Sequence, residues 1–426
     1  MKNQSTVLVT GGSGVVGAAL LPVLKSKGFK VIALTRRRGI CRDDITTVTG
    51  DIEREDFGID VERLLEEHGA ISCLIHSAAT TNFDVSAEAM HRTNVGGTKN
   101  AIALANKLDA RLIYISTAFT YEMGLPPYLS EYSSYCETKR TAEKFVRLNA
   151  RDYTIVRPSI VVGDSGSGEI AYFQGLHNVV AALLQGFAPV LPADPTAMVD
   201  MIPQDVLVRA IAALAGRRGR AREYWITRGG SADNVDEIYQ NLQKFLNRYK
   251  KGASLPKMVD PEIIDRLFKP VFMPSLPRRE RKRLNSLIDY SCYFNMKKPF
   301  PCNYDELADE FNLEPMPAQN KVLEKNLHYW AERTKFGDKV AFLAEIQQAG
   351  IFVIKNFQDN DKAAMIGSYC PSLLFPFARE AISDLVTKGG FPQFLLQPVN
   401  FDALYQQHLA RVKNQSDTNE GKEPVH

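Results

Sequence analysis

Two side chains four positions apart, Tyr135 and Lys139, carry the most specific chemical suggestion in this 426-residue chain. On a helix that spacing puts both on one face. A phenol with a reference pKa of about 10 is a poor acid at neutrality, and an ammonium beside it favours the ionised form and draws the value down. Tyr135 can then hand a proton to a carbonyl oxygen while Thr117, closing the run Arg111-Leu-Ile-Tyr-Ile-Ser-Thr117, stabilises the developing negative charge. Tyr-x-x-x-Lys arises often by chance. Its weight depends on what precedes it.

What precedes it is a frame for a dinucleotide. Val7 to Val9 reads as a buried strand, followed by the turn Thr10-Gly-Gly-Ser13-Gly14 and a helix-forming run, Val15-Val16-Gly17 to Leu24. Strand, glycine turn and helix together make a phosphate-binding hypothesis. Gly11 and Gly14 let the backbone approach a pyrophosphate, Gly17 lets the helix lie close to the sheet, and the helix amino end supplies free N–H groups. Lys30 to Thr35 reads as a second strand, running into Arg36, Arg37 and Arg38. An acid at that strand end suits the ribose hydroxyl of NAD; arginine suits the 2′-phosphate of NADP. The basic run favours NADP(H) over its alternative, a solvated loop.

Further strands are expected at Thr46–Gly50, Ile71–Ala79, Arg111–Thr117 and Tyr153–Val162, with helices at Val61–His68, Lys99–Leu108 and from Tyr135 to Val146. Strands alternating with helices predict a doubly wound parallel sheet with its site at the carboxyl ends of the strands. The small residues Ala78 and Ala79 leave room there for a dinucleotide. His76 reads as a packed strand histidine rather than a ligand. Asn94, opening onto the helix Lys99–Leu108, can serve as a helix cap.

Composition is that of an ordinary soluble protein, and a net charge of +3 is too small to imply nucleic acid. Six cysteines, at 41, 73, 136, 292, 302 and 370, form no Cys-x-x-Cys and no metal-like cluster, so reduced thiols in a cytoplasmic protein are expected. No signal peptide is read at the start, and the apolar stretch Val179–Leu191 is broken by Gly186 and Pro189.

The set of Gly11/Gly14/Gly17, Asp51, Asn94, Thr117 and Tyr135/Lys139 resembles the extended short-chain dehydrogenases/reductases. The resemblance implies that Asp51 and Ile52 meet the adenine, that Pro158 and Ser159 of Arg157-Pro-Ser lie along the nicotinamide, and that Tyr135 and Lys139 also reach the cofactor. Asn94 would support the active strand or a water-linked proton path. Ile115-Ser-Thr-Ala-Phe-Thr-Tyr-Glu122 and Asp200-Met-Ile-Pro-Gln-Asp205 look like segments of the fatty acyl-CoA and thioester reductase branch. That branch implies reduction of an acyl thioester, on coenzyme A or a carrier protein, to an aldehyde or on to an alcohol. The alternative is a ketone or nucleotide sugar on the same residues.

Residues 251–335 read as a small helical substrate cap, with helical patterns at Asp260–Phe268 and Asn320–Arg333. The basic run Pro277–Arg283 is either a solvated face or a landing site for an acidic carrier protein or an anionic membrane. From Phe336 the character changes. Val340–Ile354 reads as extended chain, then come Tyr369–Glu380 with a helix to Leu385, Gly389-Gly-Phe-Pro392 and Pro398–Tyr405. This order is similar to the export chaperone SecB over residues 337–412, without that family's N-terminal strands. The predicted organisation is therefore a reductase domain (1–250), a cap (251–335), an α+β SecB-like fragment (336–413) with a tendency to self-associate, and a disordered tail (414–426).

Overall fold

The computed structural model describes residues 4–36, 45–81, 85–121, 134–173, 175–186, 190–217, 222–263, 266, 270, 294–334 and 336, then 348–355, 358–388, 396, 399–403, 405 and 406. It resolves into two compact units, Met1–Lys339 and Val340–His426.

The first unit alternates strand and helix: β1 (Thr6–Thr10), α1 (Val15–Ser26), β2 (Lys30–Thr35), β3 (Thr46–Thr49), α2 (Val61–His68), β4 (Ile71–His76), α3 (Ala87–His91), α4 (Gly97–Lys107), β5 (Arg111–Ile115), α5 (Ser134–Asn149) and β6 (Tyr153–Pro158). There follow β7 (Ile160–Val162), α6 (Leu176–Leu184), β8 (Leu191–Pro192), β9 (Met201–Pro203), α7 (Gln204–Ala215), β10 (Arg222–Ile226), α8 (Val235–Tyr249), β11 (Met258–Val259), α9 (Tyr304–Phe311) and α10 (Gln319–Thr334). Seven strands pair in the order β10-β6-β5-β4-β1-β2-β3, all parallel. The order reverses between β1 and β4, which opens a crevice at their carboxyl ends.

Successive side chains of a strand point to opposite faces, and β1 shows the consequence. Val7 and Val9 pack with α1 and α7 on one face, while Leu8 packs with α2, α4 and α5 on the other. Both faces are covered around the central strands, which is why β1, β2 and β4 are mainly apolar. A separate core, built by β7, β9, α6, α8 and α10, carries Val162, Leu176, Val180, Leu327 and Trp330.

Two departures from the sequence reading concern strands. The expected strand Tyr153–Val162 is two: β6 stays in the main sheet, and β7 pairs with β9 in a two-stranded sheet. The break falls at Ser159, directly after Pro158, which has no N–H of its own to add to the ladder, and the Ser159 N–H donates to the carbonyl of Ile226. The seventh strand, β10, was not anticipated. The region read as a helical cap also carries β11, paired with β8, and α9, whose Leu307 and Ala308 join the core of the main sheet. Within Asp260–Phe268 residues 264, 265, 267 and 268 lie outside the described residues, and the basic run 277–283 lies wholly outside them.

The second unit contains, among its described residues, α11 (Asp359–Ala364) continuing through a π turn, Met365–Tyr369, into α12 (Cys370–Lys388), and residues 401–403, 405 and 406 are helical as well. Of the stretch read as extended, residues 348–355 form no paired strand. Its apolar side chains are largely uncovered: Ile351, Val353, Ile366 and Phe377 are exposed. No strand occurs among the described residues here, so the α+β expectation is met only in its helical half. Among the described residues, no helix is long and apolar enough to cross a membrane.

Candidate active site

A cavity of about 510 Å³ opens at the strand crevice, and the predicted residues Gly14, Val15, Val16, Ala79, Thr117, Tyr135, Lys139, Pro158 and Ser159 line it. The glycine turn is shaped by close approach. Gly11 has φ +74°, and a Cβ there would stand 2.7 Å from the Ala78 nitrogen; a Cβ on Gly17 would stand 2.1 Å from the Gly11 carbonyl oxygen. The amino end of α1 begins at Gly14 with no side-chain cap and no acid in its first turn. Such an end attracts anions, so these residues fit a dinucleotide pyrophosphate. Ser13 is exposed beside it. Thr10 is wholly buried and works as a brace: its hydroxyl bonds His76 Nδ1 at 2.8 Å and accepts from the Ala78 N–H at 3.2 Å. His76 is packed as expected, its imidazole pushed down to about 3 by burial, with Lys139 adding to the effect.

Arg36, Asp51 and Ile52 lie beyond the lining of the cavity. Arg36 closes β2 and pairs with Asp51 and with Glu53, each at 3.4 Å. The Ile52 side chain is buried and would touch any Cβ on Gly97 at 2.8 Å, while its carbonyl accepts from Asn100 at 2.8 Å.

The chemistry gathers on α5. Lys139 Nζ donates to the Ile115 carbonyl at 2.7 Å and lies 4.4 Å from the centre of the Tyr114 ring. One turn on, Glu143 accepts from Ser116 Oγ at 2.5 Å and from Nε and Nη2 of Arg157, at 2.8 and 2.7 Å. One carboxylate thereby ties the strand end before Thr117 to the Arg-Pro-Ser segment. The protonation balance differs from the simple pairing argument. Burial pushes the Tyr135 phenol above its ordinary range and pulls the Lys139 ammonium down to about 7, with Glu143 opposing that fall. Desolvation outweighs the attraction expected from sequence.

Asn94 is not a helix cap, because the chain is helical on both sides of it through a π turn, Arg92–Gly96. Its Oδ1 accepts from the Thr80 N–H at 2.8 Å, and its Nδ2 donates to Thr138 Oγ1 at 3.2 Å. It binds the loop after β4 to the turn that carries Lys139. The Asp200–Asp205 segment also braces. Asp200 accepts from the N–H groups of Arg228 and Gly229 at 2.8 and 3.0 Å, and Asp205 from the Ser165 N–H at 2.9 Å. Neither carboxylate lines the cavity.

The far wall was missed by sequence reasoning: Phe173, Leu176, His177, Asn178 and Phe294. No motif marks them. They come from the loop before α6, from α6 itself and from a position more than a hundred residues later.

Comparison with known proteins resolves the chain into two parts. Residues 306–412 match the family model described as preprotein translocase subunit SecB. The protein-export protein SecB of Methylococcus capsulatus is 55% identical over 109 residues, which are 25% of this chain and 70% of that protein. The chain belongs, through this C-terminal quarter, to the SecB family. The SecB protein of Nitrosococcus oceani is 49% identical over 106 residues, 24% of this chain and 64% of that protein; other SecB relatives are spanned over about half their length. The SecB match begins at residue 306, ahead of the boundary read from sequence, and takes in most of α9 and all of α10, which pack within the first unit.

Residues 34–211 match the family model described as male sterility protein. The terminal R domain from the myxalamid PKS-NRPS pathway shares the fold at a TM-score of 0.62, 21% identity, 80% of this chain and 93% of that one. A thiolation-reductase di-domain from an archaeal non-ribosomal peptide synthetase aligns at 0.56 and 16%, covering 79% and 77%. A UDP-glucose 4-epimerase of Thermotoga maritima aligns at 0.54 and 19%, covering 77% and 99%. The first unit thus shares the doubly wound parallel fold of these proteins.

Proposed function

We propose that the first unit is an NADPH-dependent reductase of acyl thioesters, carried on coenzyme A or a carrier protein, that yields an aldehyde. The observation that carries this reading is the cavity lining. Thr117, Tyr135 and Lys139 meet the uncapped end of α1 on one side, and Phe173, Leu176 and Phe294 form the other. Among the described residues lining it, Lys139 is the only lysine, arginine or carboxylate side chain. A nucleotide sugar brings its own diphosphate, whose charge calls for cations; an acyl chain calls for the apolar wall. The kinship in fold with two reductase domains of assembly-line synthases, one joined to a thiolation domain, supports the same substrate class.

A bound dinucleotide supplies the hydride. Gly11, Ser13, Gly14, Val15 and Val16 would hold its pyrophosphate, Arg36 its 2′-phosphate, Asp51 and Ile52 its adenine, and Pro158 and Ser159 its nicotinamide side. Thr117 and Tyr135 orient the thioester carbonyl, and Tyr135 gives its proton to the carbonyl oxygen. The tetrahedral hemithioacetal then breaks its C–S bond, the hydroxyl proton leaves with the thiol, and an aldehyde remains. A second hydride and proton would give the alcohol. Oxidation of NADPH against a panel of acyl-CoA, acyl-carrier, ketone and nucleotide-sugar substrates, with products identified by mass, tests the assignment. Turnover confined to ketones or nucleotide sugars refutes it.

For the second unit we infer self-association, favoured by the exposed Ile351, Val353, Ile366, Leu373 and Phe377. Large apolar side chains left exposed together in a small unit point to an interaction site. Preprotein binding, as in the SecB family, is the accompanying possibility for this unit. A cytoplasmic location belongs to the same reading.

A further inference from the structure

Behind the apolar wall of the cavity lies a small recess of about 20 Å³ between α6 and α10, lined by Val162, Leu176, Val180, Leu323, Leu327 and Trp330, with His177 and Asn326 at its edge. Leu176 and His177 also line the main cavity, so the two spaces share a wall. Leu323, Leu327 and Trp330 recur at the spacing that stacks side chains on one helix face. The Asn326 amide is spent within the protein: Oδ1 accepts from the Gly163 N–H, and Nδ2 donates to the Val322 carbonyl at 2.8 Å. The recess therefore presents hydrocarbon.

Its rear wall is fixed. Gln319 donates to the Val199 carbonyl at 2.7 Å and accepts from the Met201 N–H at 3.2 Å, pinning the start of α10 to β9 and its approach. The loop after β7 presses on the same helix, where a Cβ on Gly168 would stand 2.3 Å from the Lys325 carbonyl oxygen. Trp330 is buried, its ring 4.8 Å from that of Phe336. A space of this size holds about one water or one methyl group.

We propose that this recess seats the end of the substrate's acyl chain, and that Trp330 and Val180 set the longest chain the enzyme accepts. The proposal rests on the thioester reading above. Each methylene that must be refused or accommodated by such a pocket changes specificity by roughly ten-fold or more.

The test uses the full-length chain and a series of straight saturated acyl groups, presented as coenzyme A and as carrier-protein thioesters. NADPH affinity of each variant reports the folded reductase. Trp330→Leu should raise kcat/KM for acyl groups longer than the wild-type optimum by roughly ten-fold, and Val180→Phe should lower the optimum. If Trp330→Leu loses NADPH affinity as well, Leu323→Ala and Val180→Phe decide. Superimposable chain-length profiles, with thiol still released, overturn the recess and leave the thioester reading standing. Absence of thiol release by the wild type from every acyl thioester overturns both.

Discussion

Glu143 accepts from Nε and Nη2 of the Arg157 guanidinium, at 2.8 and 2.7 Å, in a site where both side chains are almost wholly buried. The same guanidinium also reaches Glu223 at 2.6 Å and lies 4.4 Å from the centre of the Trp225 ring. Glu143 stands one helical turn beyond Lys139 and also accepts from Ser116, so it fixes α5 against the ends of β5 and β6 at once. Removing one partner of a buried pair leaves the other charge uncompensated, at about 3–5 kcal/mol. Glu143→Gln should therefore lower the thermal midpoint clearly and depress kcat more than it raises the KM for NADPH. Calorimetry with steady-state kinetics checks this; a variant indistinguishable in both would remove Glu143 from the account.

Tyr135→Phe deletes the proton donor and leaves the glycine turn intact. Turnover should fall about a hundred- to ten-thousand-fold, with NADPH affinity within about two-fold of wild type, the low end of the change expected from losing one neutral hydrogen bond. Fluorescence titration and turnover measured on one preparation separate the two effects. A rate near wild type would mean that another group is the acid.

Burial places the Lys139 ammonium at about 7. Below that pH the cation is present beside the cavity, and it is lost as pH rises through the value. Reductive kcat/KM should accordingly fall on the alkaline side of about 7, with a one-proton slope. Because Glu143 raises this value, Glu143→Gln should move the limb to lower pH. Stability runs the other way. Between about 7 and the ordinary lysine value of 10.5 the unfolded chain holds a proton that the folded site has released, so this group makes the fold more stable as pH rises across that window. A flat rate profile from about pH 6 to 9 would contradict the assignment.

On the proposed NADPH reading Arg36 is the discriminator for the 2′-phosphate, and it is already shared with Asp51 and Glu53. These pairs are partly exposed and individually weak, so a phosphate dianion can displace them. Arg36→Ala should cut kcat/KM for NADPH by roughly ten-fold, the loss of one charge-assisted contact, and leave NADH nearly unchanged. Equal losses with both cofactors would assign Arg36 a structural role.

The reductase boundary follows from Phe336, which is buried against Phe245, Tyr249 and Trp330. A chain ending at Gly337 keeps that anchor and should be active with a smaller light-scattering mass than the full chain. Ending it at Ala318 removes α10 and should abolish turnover. An inactive Gly337 form that still binds NADPH would make the SecB-family part a working piece of the enzyme.

Much of this was legible because periodicity reports burial. Apolar strands of five or six residues alternate with amphipathic helices, and the glycine turn, Thr117 and Tyr135/Lys139 fall where that alternation puts the cavity. Strand β10 was not legible. Arg222 and Glu223 open it with charges, and their partners, Glu310 for Arg222 and Arg147 and Arg157 for Glu223, lie far away in sequence. The wall of Phe173, His177 and Phe294 escaped for a similar reason, being assembled from segments with no common motif. The protonation of Tyr135 and Lys139 escaped because spacing encodes attraction, whereas burial is a property of the assembled fold.

The central claim, that the carbonyl reduced belongs to a thioester, is tested most directly by the stoichiometry of free thiol to NADPH. Wild-type protein is given acyl-CoA, and thiol release is followed beside cofactor oxidation, with Tyr135→Phe as the control. The account predicts one thiol for each NADPH at the aldehyde stage, or one for two if an alcohol is formed, and neither signal in the variant. Cofactor oxidation without any thiol, or turnover seen only with ketones or nucleotide sugars, would contradict it.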